Sequence, residues 1–376
     1  GTLERKSQIG NNIIFFAMKT LFKHLIPVAA CAAVAASCSA DGNAALGFDN
    51  PVEVQADSIA VNEILRPIDH AVVGDKAVVM SAGSEDLFYV YGLPDFKFLY
   101  STGKSGEGPD DFGRCKFLNG DATEGVLYVD EFSKRLAKFF SVDDNNFNNK
   151  GQIVFIKKDG VYLRERAVAS GGRWLLSSTE VNGDELGREY LYVMEAETRK
   201  ITDSVLVHTL VKEETMANGG VRVTTYNEVS VWSAGDAVAV SYSMIPRMDF
   251  YRMTSNGKLK LIKTIGDNFT DEETMERAKA LEADKDASAT MFCDGQATEK
   301  YLFILEADIK VDMEARKINF LSTRVKVYDW DGSVAGMFEL EKSATNIMVS
   351  PDGGCIFAYN VVTDDFDRVY TYRTGL

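Results

Sequence analysis

The chain has 376 residues and a formal charge of −15 at neutral pH; 45% of its residues are hydrophobic and 26% are charged. This acidic balance excludes nucleic acid as a partner, because a polyanion is repelled by a surface of the same sign. With 7 prolines and no low-complexity tract, the composition is that of one large globular unit rather than a disordered chain.

The N-terminal segment has the pattern of an export signal. Met18-Lys19-Thr20 opens a basic start, the apolar stretch over 25–36 is too short to span a bilayer, and small residues end it. Ala35-Ala36-Ser37-Cys38 looks like the lipobox of bacterial lipoproteins, which implies that Cys38 is acylated and becomes the mature N-terminus. Secretion without lipid is the alternative. The predicted parts are 1–37, an upstream extension plus lipoprotein signal peptide, 38–50, a flexible tether, and 51–376, the folded domain.

From residue 72 onward one pattern recurs six times: an apolar strand, a turn of Gly, Asp or Pro, and a second apolar strand. Recurrence of an all-strand unit every several tens of residues is typical of propeller blades. A third strand rich in aromatic residues follows each hairpin, and in five of the six units a fourth strand comes after it. The six hairpins begin near residues 72, 117, 168, 231, 291 and 347.

The sixth unit has no fourth strand before Leu376, while an alternating segment over 51–59 has no partner at the other end. We predict that this N-terminal segment is the outer strand of blade six. Such closure pairs a sheet edge that would otherwise template aggregation. The predicted fold is therefore all-β, a six-bladed β-propeller with its N-terminal strand closing the last blade.

Two other arrangements fit the same pattern less well. A β-sandwich, or a pair of them, also has short alternating strands with regular turns. Six similar four-strand units favour the propeller over it. A seventh blade would require that the long stretch over 306–323 contains strands of its own.

Loop length separates the two faces of the predicted disc. Links within the first hairpin and between third and fourth strands are mostly short, whereas the other links are long. In a four-strand meander these two sets lie on opposite faces, which we call the short-turn face and the loop-rich face. Long ordered loops on a rigid scaffold often carry function, so the loop-rich face is the predicted binding surface, although core packing is the alternative for its aromatic residues. Its candidate contact residues are Glu107, Asp110, Asp111, Tyr226, Tyr242, Arg247, Phe269, Asp364 and Phe366.

One helix is predicted, in an insertion over 266–289 between blades four and five. Thr270-Asp271-Glu272-Glu273 fits a capping box, in which the threonine hydroxyl and the second glutamate satisfy free amides of the first turn. Weakly apolar residues then recur at helical spacing, which predicts a helix lying over the disc. Packing on a partner is the alternative.

The linker between blades one and two reads Gly103-Lys104-Ser105-Gly106-Glu107-Gly108-Pro109-Asp110-Asp111-Phe112. It lacks the earlier glycine and the strand-to-helix context of a phosphate-binding loop. It resembles the Gly-x-Gly-Pro-x-x-Phe linker of the TolB-like six-bladed propeller lipoproteins of Bacteroidetes. The lipobox, the six repeats and the helical insertion extend the resemblance over most of the chain, although Asp110 and Asp111 replace the Gly and Glu that family members often carry. The resemblance brings no catalytic residues, and Gly106, Gly108 and Pro109 are expected to shape a bend.

The sequence contains none of the usual catalytic motifs. After signal removal only His70 and His208 remain, each alone in a strand or linker, and no zinc, nucleotide or serine-hydrolase motif appears. The acidic loops over 143–146 and 364–367 depart from the calcium-loop template, and turn chemistry accounts for them. We therefore expect no cofactor and assign no metal ligand or catalytic residue.

These patterns predict a lipid-anchored propeller of the cell envelope, periplasmic or on the outer surface, that binds a protein, peptide or glycan without turning it over. The alternative is a metal-dependent hydrolase or lyase, with carboxylates from several blades converging at the mouth of the axial channel. A scaffold within an envelope complex is the third possibility.

Overall fold

The computed structural model describes residues 51–376 except residues 64, 109, 155–156, 159–160, 163, 170, 181–186, 216–220, 244–246, 267, 277–287, 313–316 and 363–365. The described residues form 28 strands and one short helix over 271–276. The chain is therefore all-β, as predicted. No helix in this part of the chain is long and apolar enough to cross a membrane.

Six sheets of four or five strands form the blades of a propeller. Two short strands precede them, β1 (Val52–Val54) and β2 (Asp57–Ala60). Blade one is β3 (Pro67–Val73), β4 (Lys76–Ser81), β5 (Phe88–Gly92) and β6 (Lys97–Thr102), and blade two is β7 (Lys116–Leu118), β8 (Leu127–Glu131), β9 (Leu136–Val142) and β10 (Phe147–Val154). A small hairpin follows, β11 (Lys157–Lys158) and β12 (Val161–Tyr162). Blade three is β13 (Arg164–Ala169), β14 (Arg173–Glu180), β15 (Gly187–Glu195), β16 (Ile201–Thr215) and β17 (Val221–Tyr226).

The remaining three blades are built in the same way. Blade four is β18 (Val229–Ala234), β19 (Ala237–Tyr242), β20 (Arg247–Met253) and β21 (Leu259–Gly266). Blade five is β22 (Ser288–Ala297), β23 (Tyr301–Asp312), β24 (Lys317–Asp329) and β25 (Val334–Leu340). Blade six is β26 (Asn346–Val349), β27 (Cys355–Tyr359) and β28 (Arg368–Arg373), completed by β2.

The inner strands make a closed ring. β3, β7, β13, β18, β22 and β26 each contact the next in this order, and β26 contacts β3. Apolar side chains fill the spaces between neighbouring blades; Val207 of blade three, for example, is buried in one cluster with Val231 and Val240 of blade four. Successive residues of a strand point to opposite faces of its sheet, so a middle strand serves both neighbouring blades. This is why β4 and β19 are buried along their whole length.

The N-terminal strap, residues 51–60, closes the ring. β2 pairs antiparallel with β28, with Ser58 opposite Tyr370, which confirms that this part of the strap is the outer strand of blade six. The prediction is wrong for Val52–Val54: β1 pairs in parallel with β25 of blade five instead. Blade five would otherwise leave the outer edge of β25 unpaired, and Ala56 N donates a hydrogen bond of 3.0 Å to Glu341 Oε2 where the strap crosses between the blades.

The six sheets close into one ring instead of packing as β-sandwiches, and the stretch over 306–323 adds no seventh blade among the described residues. Within 306–323, the described residues belong to β23 and β24, which pair with each other inside blade five and form no seventh blade.

The predicted capping box is confirmed, because Thr270 N donates to Glu273 Oε2 at 2.7 Å and Glu273 N donates to Thr270 Oγ1 at 3.2 Å. The fifth strand of blade three and the β11–β12 hairpin were not predicted from the sequence.

The glycine-rich linker bends as expected, and Asp111 holds the bend. Its Oδ2 accepts a hydrogen bond of 3.0 Å from Gly108 N, and a Cβ at Gly106 would lie 2.3 Å from that same oxygen. Phe112 then enters the core between blades one and two, where its ring meets Phe88 edge-on at 4.8 Å between centroids. Glycine is needed here because the backbone and the carboxylate share the space that a side chain would take.

We expect Gly103→Ala to destabilise the fold by about 2–4 kcal/mol, as read from the midpoint of urea unfolding. Gly103 has φ +76°, and a Cβ there would lie 2.6 Å from the ring of Phe88, so backbone strain and overpacking add. Gly74→Ala is the matched control, because Gly74 has φ +55° with nothing within 4 Å of its Cβ position. That variant should lose only the strain component, about 1 kcal/mol. Equal losses in the two variants would contradict the packing argument.

Candidate functional site

The two faces of the disc differ as the loop lengths predicted. Strand direction places the start of each third strand and the end of each second and fourth strand on the loop-rich face. There β16 runs for 15 residues and pairs beyond Val211 with β17 alone, and β23 and β24 run for 12 and 13 residues. Blades three and five therefore extend past the disc, with the shorter blade four between them.

A buried ion pair lies at this end of blade four. Arg247 donates to Asp249 Oδ1 from Nε at 3.0 Å and from Nη2 at 2.9 Å, and Asp249 is only 1% exposed. Tyr242 Oη and Thr264 Oγ1 each donate to the same carboxylate at 2.7 Å. Arg247 Nη1 donates to Asn268 Oδ1 at 2.7 Å. A buried ion pair is tolerated only when its oxygens and N–H groups are matched in this way, so the network fixes the start of the insertion to blade four.

His208 faces this network from blade three. A β-bulge interrupts the pairing of β15 with β16, because Arg188 lies opposite Leu210 whereas Glu189 lies opposite Val207, which leaves His208 and Thr209 in the bulge. The His208 ring lies 5.9 Å from the Tyr242 ring, centroid to centroid. Burial, followed by the charge of Arg247, lowers the pKa of His208 below its ordinary value. The imidazole is therefore neutral at neutral pH.

The start of the insertion lies over the same place. Phe269 packs on the apolar cluster shared by blades three and four, and Arg188 on β15 forms an ion pair with Asp271 in the first turn of the helix. The described start of the helix therefore lies over the disc, as predicted, whereas most of the predicted apolar stripe, over 278–283, lies outside the described residues. We define the blade 3–4 site by Arg188, His208, Tyr242, Arg247, Asp249, Asn268, Phe269 and Asp271.

Of the residues predicted from sequence, three belong to this site and a fourth ends a strand near it. Phe269 is half-buried, and Tyr226 ends β17, paired with Leu210. Tyr242 is 3% exposed and Arg247 is 9% exposed, so these two side chains are framework rather than an open stacking surface. The reason is the ion pair, which draws both side chains inward.

The other predicted residues lie elsewhere or outside the described part. Glu107 and Asp110 are exposed in the linker between blades one and two, and Asp111 holds the linker's bend. Phe366 packs edge-on against Tyr359 of blade six, with ring centroids 4.9 Å apart. Cys38 and Asp364 lie outside the described residues. The predicted loop residues thus share one face of the disc without forming a single cluster.

A second polar cluster lies where blades one, five and six meet at the axial channel. His70 Nε2 is 2.8 Å from the carbonyl oxygen of Ile347 and 3.4 Å from Asp294 Oδ2, and its Nδ1 is 2.8 Å from Tyr359 Oη. A carbonyl only accepts, so Nε2 carries a hydrogen. Asp294 accepts from Ile347 N at 2.8 Å, and Asp69 accepts from Phe117 N at 2.6 Å. Each aspartate therefore ties its inner strand to the next blade.

A cavity of about 140 Å³ lies between β7 and β18, lined by 116–119 and 229–231. Asn119 links the two sides of this cavity, because its Nδ2 donates a hydrogen bond of 2.8 Å to the carbonyl oxygen of Val231. Within the described residues, no group of three His, Cys, Asp or Glu side chains is arranged to hold a metal ion.

We expect Asp294→Asn to flatten the pH dependence of stability. Burial raises the pKa of Asp294 above its ordinary value, so its contribution is full below that value and is lost as pH rises through the folded-state pKa. Asparagine keeps an acceptor for Ile347 N without ionising. Unfolding free energies measured from pH 4 to pH 8 should therefore fall less with pH in the variant than in the wild type. Each tenfold change in the proton affinity of the carboxylate on folding accounts for about 1.4 kcal/mol of that difference.

Asp331→Asn provides the control of opposite sign. The hydroxyl and backbone amide of Ser333 lower the pKa of Asp331, so its contribution is present above the ordinary value and is lost on acidification. This variant should lose stability at neutral pH and little at acid pH. If both variants changed the profile in the same direction, the assignment of Asp294 would be wrong.

His208, Arg188, Asp249 and Asp271 were missed at the sequence level. His208 stands alone in its own strand, and its neighbours come from other strands and from the insertion, with Arg188 and Asp271 separated by 83 positions. The only local signal was the capping box, which located Asp271 without its partner. Contacts between blades are absent from any local pattern.

The architecture is a six-bladed β-propeller whose loop-rich face carries a charged, half-buried site between blades three and four. No protein-family model matches the sequence, and the comparison with curated proteins found no match.

Two of the solved structures that are similar to this chain come from Bacteroides species. An exported protein from Bacteroides fragilis is 10% identical with a TM-score of 0.50, over 87% of this chain and 96% of that one. A member of the DUF4221 family from Bacteroides vulgatus is 7% identical with a TM-score of 0.44, over 85% and 98% of the two chains. At 10% identity, the likeness to the Bacteroides fragilis protein concerns the fold alone.

Proposed function

We propose that the protein is an extracytoplasmic binding module, which holds a protein, peptide or glycan on its loop-rich face above blades three and four. The observation that carries the proposal is the blade 3–4 site, where the extended hairpin of blade three, the end of blade four and the capped insertion meet around charged side chains. Charged groups on loops of a rigid scaffold are where ligands are usually bound.

The location in the cell envelope is part of the proposal. It rests on the signal-like pattern before Cys38 and is consistent with the exported protein named among the structures of similar fold. Lipid attachment at Cys38 and membership of the TolB-like lipoproteins rest on the sequence resemblance. A single acylated cysteine would hold the domain at a membrane surface without spanning it.

Binding is favoured over the metal-dependent hydrolase or lyase because of the groups at the channel. Such an enzyme needs several carboxylates or amides converging on one ion. The described channel carboxylates, Asp69 and Asp294, are each engaged by a backbone amide of the next blade. At the blade 3–4 site, the carboxylate of Asp249 is fully occupied by Arg247, Tyr242 and Thr264.

Site-specific photo-crosslinking tests the proposal. A benzophenone amino acid replaces Tyr226 on the loop-rich face or Glu197, an exposed residue between β15 and β16 on the short-turn face. In cells that export the protein, we expect discrete crosslinked products from position 226 and none from position 197. Identical products from both positions, or none from either, would contradict a binding role for the loop-rich face.

Acylation is tested separately from binding. We expect labelled palmitate to be incorporated into the wild-type chain and to be lost in Cys38→Ser, with the protein moving from the membrane fraction to the soluble fraction. Cys31→Ser is the control, because Cys31 lies within the predicted signal and would be removed with it. Equal labelling of the two variants would rule out Cys38 as the acceptor.

A further inference from the structure

The bulge in blade three gives His208 a position that regular pairing would not. Bulges insert an unpaired residue, redirect its side chain and recur next to functional sites. Here Thr209 is fully buried and donates from Oγ1 to the carbonyl of Asn227 at 2.9 Å, whereas the imidazole of His208 is turned toward Tyr242 of blade four. The bulge therefore presents the imidazole at the boundary between the blades.

Within the part of the chain that the structure describes, the imidazole has unused hydrogen-bonding capacity. Among the described residues, the ring of His208 contacts the Tyr242 ring and makes no hydrogen bond. The charges that act on it come from three elements: Arg188 on β15, Arg247 and Asp249 on β20, and Asp271 on the helix. A half-buried polar group that has no hydrogen-bond partner among the described residues is more consistent with contact to a ligand than with a role in packing.

Arg188 lies opposite Leu210 at the bulge, its charge acts on the imidazole, and its own contact is easily replaced. Its side chain is 46% exposed, and that of its partner Asp271 is 38% exposed. Exposed pairs of this kind contribute only about 0–1 kcal/mol. A carboxylate from another molecule can therefore take the place of Asp271 at small cost, and an arginine fork binds carboxylates well.

We propose that Arg188 and His208 form a carboxylate-binding site, which Asp271 of the insertion occupies when no ligand is bound. A ligand carboxylate accepts from the Arg188 guanidinium and, through its second oxygen, from the His208 ring, while Asp271 and the first turn of the helix are released. The inference rests on the proposed function, since it names the ligand chemistry of the same site.

The charges near Arg188 and His208 allow an anion to bind there, although the protein as a whole is acidic. Residues 1–37 carry four positive charges and one negative charge, which leaves −18 on the rest of the chain. Salt screens distant charges over roughly 8 Å at physiological ionic strength, so the nearest groups dominate. Once Asp271 is displaced, those groups are two guanidiniums, Arg188 and Arg247, against the single carboxylate of Asp249.

The binding site should respond to pH in a defined direction. His208 is neutral at neutral pH because burial and Arg247 lower its pKa, and a bound carboxylate favours the charged imidazolium. Affinity should therefore rise on acidification until the ligand carboxylate itself is protonated, near pH 4 for an ordinary carboxyl group. A glutamine in place of His208 keeps a hydrogen-bond donor and removes the titration.

Carboxylate-bearing probes, each with a neutral twin, test the proposal by calorimetric titration of the exported domain. One arm uses an acidic hexapeptide against its amide analogue, and the other uses oligogalacturonate against oligogalactose. We expect the acidic probe to bind more tightly than its neutral twin in at least one arm. The arm with the higher affinity identifies a peptide or a glycan as the source of the carboxylate.

Four variants locate the contact. Arg188→Gln should weaken binding of the acidic probe about tenfold or more, and Asp271→Asn should strengthen it about threefold by leaving Arg188 unpaired. His208→Gln should retain binding but lose the rise on acidification. Arg252→Gln is the matched control, because Arg252 forms an exposed pair with Asp236 on the short-turn face and should bind as the wild type does.

The inference and the proposed function fail separately. If acidic and neutral probes bind alike, or if Arg188→Gln behaves as Arg252→Gln does, the carboxylate site is wrong. Crosslinking from position 226 would still support a binding face in that case. If Asp271→Asn weakens binding instead, Asp271 is a ligand contact rather than an occupant of the site, and the proposal is also overturned.

Discussion

A variant that begins at Val61 is expected to lose about 3–5 kcal/mol of unfolding free energy and to self-associate. It lacks both strands of the N-terminal strap. β28 then exposes a full row of unpaired backbone groups at the outer edge of blade six, and the ring is held only by contacts between inner strands and side chains. Urea unfolding and light scattering measure the two effects.

Two longer variants separate the contributions of the strap. A variant beginning at Pro51 keeps β1 and β2 and should unfold as the longer chain does. A variant beginning at Ala56 loses only β1, with its parallel pairing to β25 and the buried side chain of Val54, and should lose about 1–2 kcal/mol. If the variant beginning at Val61 were monomeric and as stable as the one beginning at Pro51, the strap would not be what closes the ring.

The second large effect is expected at the buried ion pair. Asp249→Ala should cost about 3–5 kcal/mol, because it removes the acceptor of Nε and Nη2 of the buried Arg247 guanidinium and leaves Tyr242 without an acceptor. Asp249→Asn keeps the acceptor geometry and should cost less. The midpoint and slope of urea unfolding report both changes.

A double variant distinguishes the pair from simple packing. Arg247→Met combined with Asp249→Ala removes both charges, so it should be more stable than Asp249→Ala alone. If the two substitutions were additive instead, the loss would come from packing and the charge argument would fail. Because the pair supports the blade 3–4 site, ligand binding should weaken in Asp249→Ala even where the protein remains folded.

Much of the fold could be predicted because its signals are local. Each hairpin is encoded by two apolar strands around a turn, and the count of six follows from repetition. The capping box at Thr270 and the bend at Gly108 could also be predicted, since each depends on residues within four positions, although the part that Asp111 plays in the bend came from the structure. The strap was predicted in part: β2 was placed correctly, whereas β1 crosses to blade five. The alternating apolar and polar residues of the strap can pair with the free outer edge of any blade. Only the distance between the blades decides which edge each part of the strap meets.

The sequence by itself determined the strand pattern, the number of blades, the face that carries the long loops and the residues that shape the turns, because these depend on neighbours along the chain. Only the tertiary structure decided that Tyr242 and Arg247 turn inward, that a bulge presents His208 and that Arg188 meets Asp271. Those side chains lie on different strands and on the insertion. Their meeting depends on how neighbouring blades pack, and that geometry arises from the closed ring.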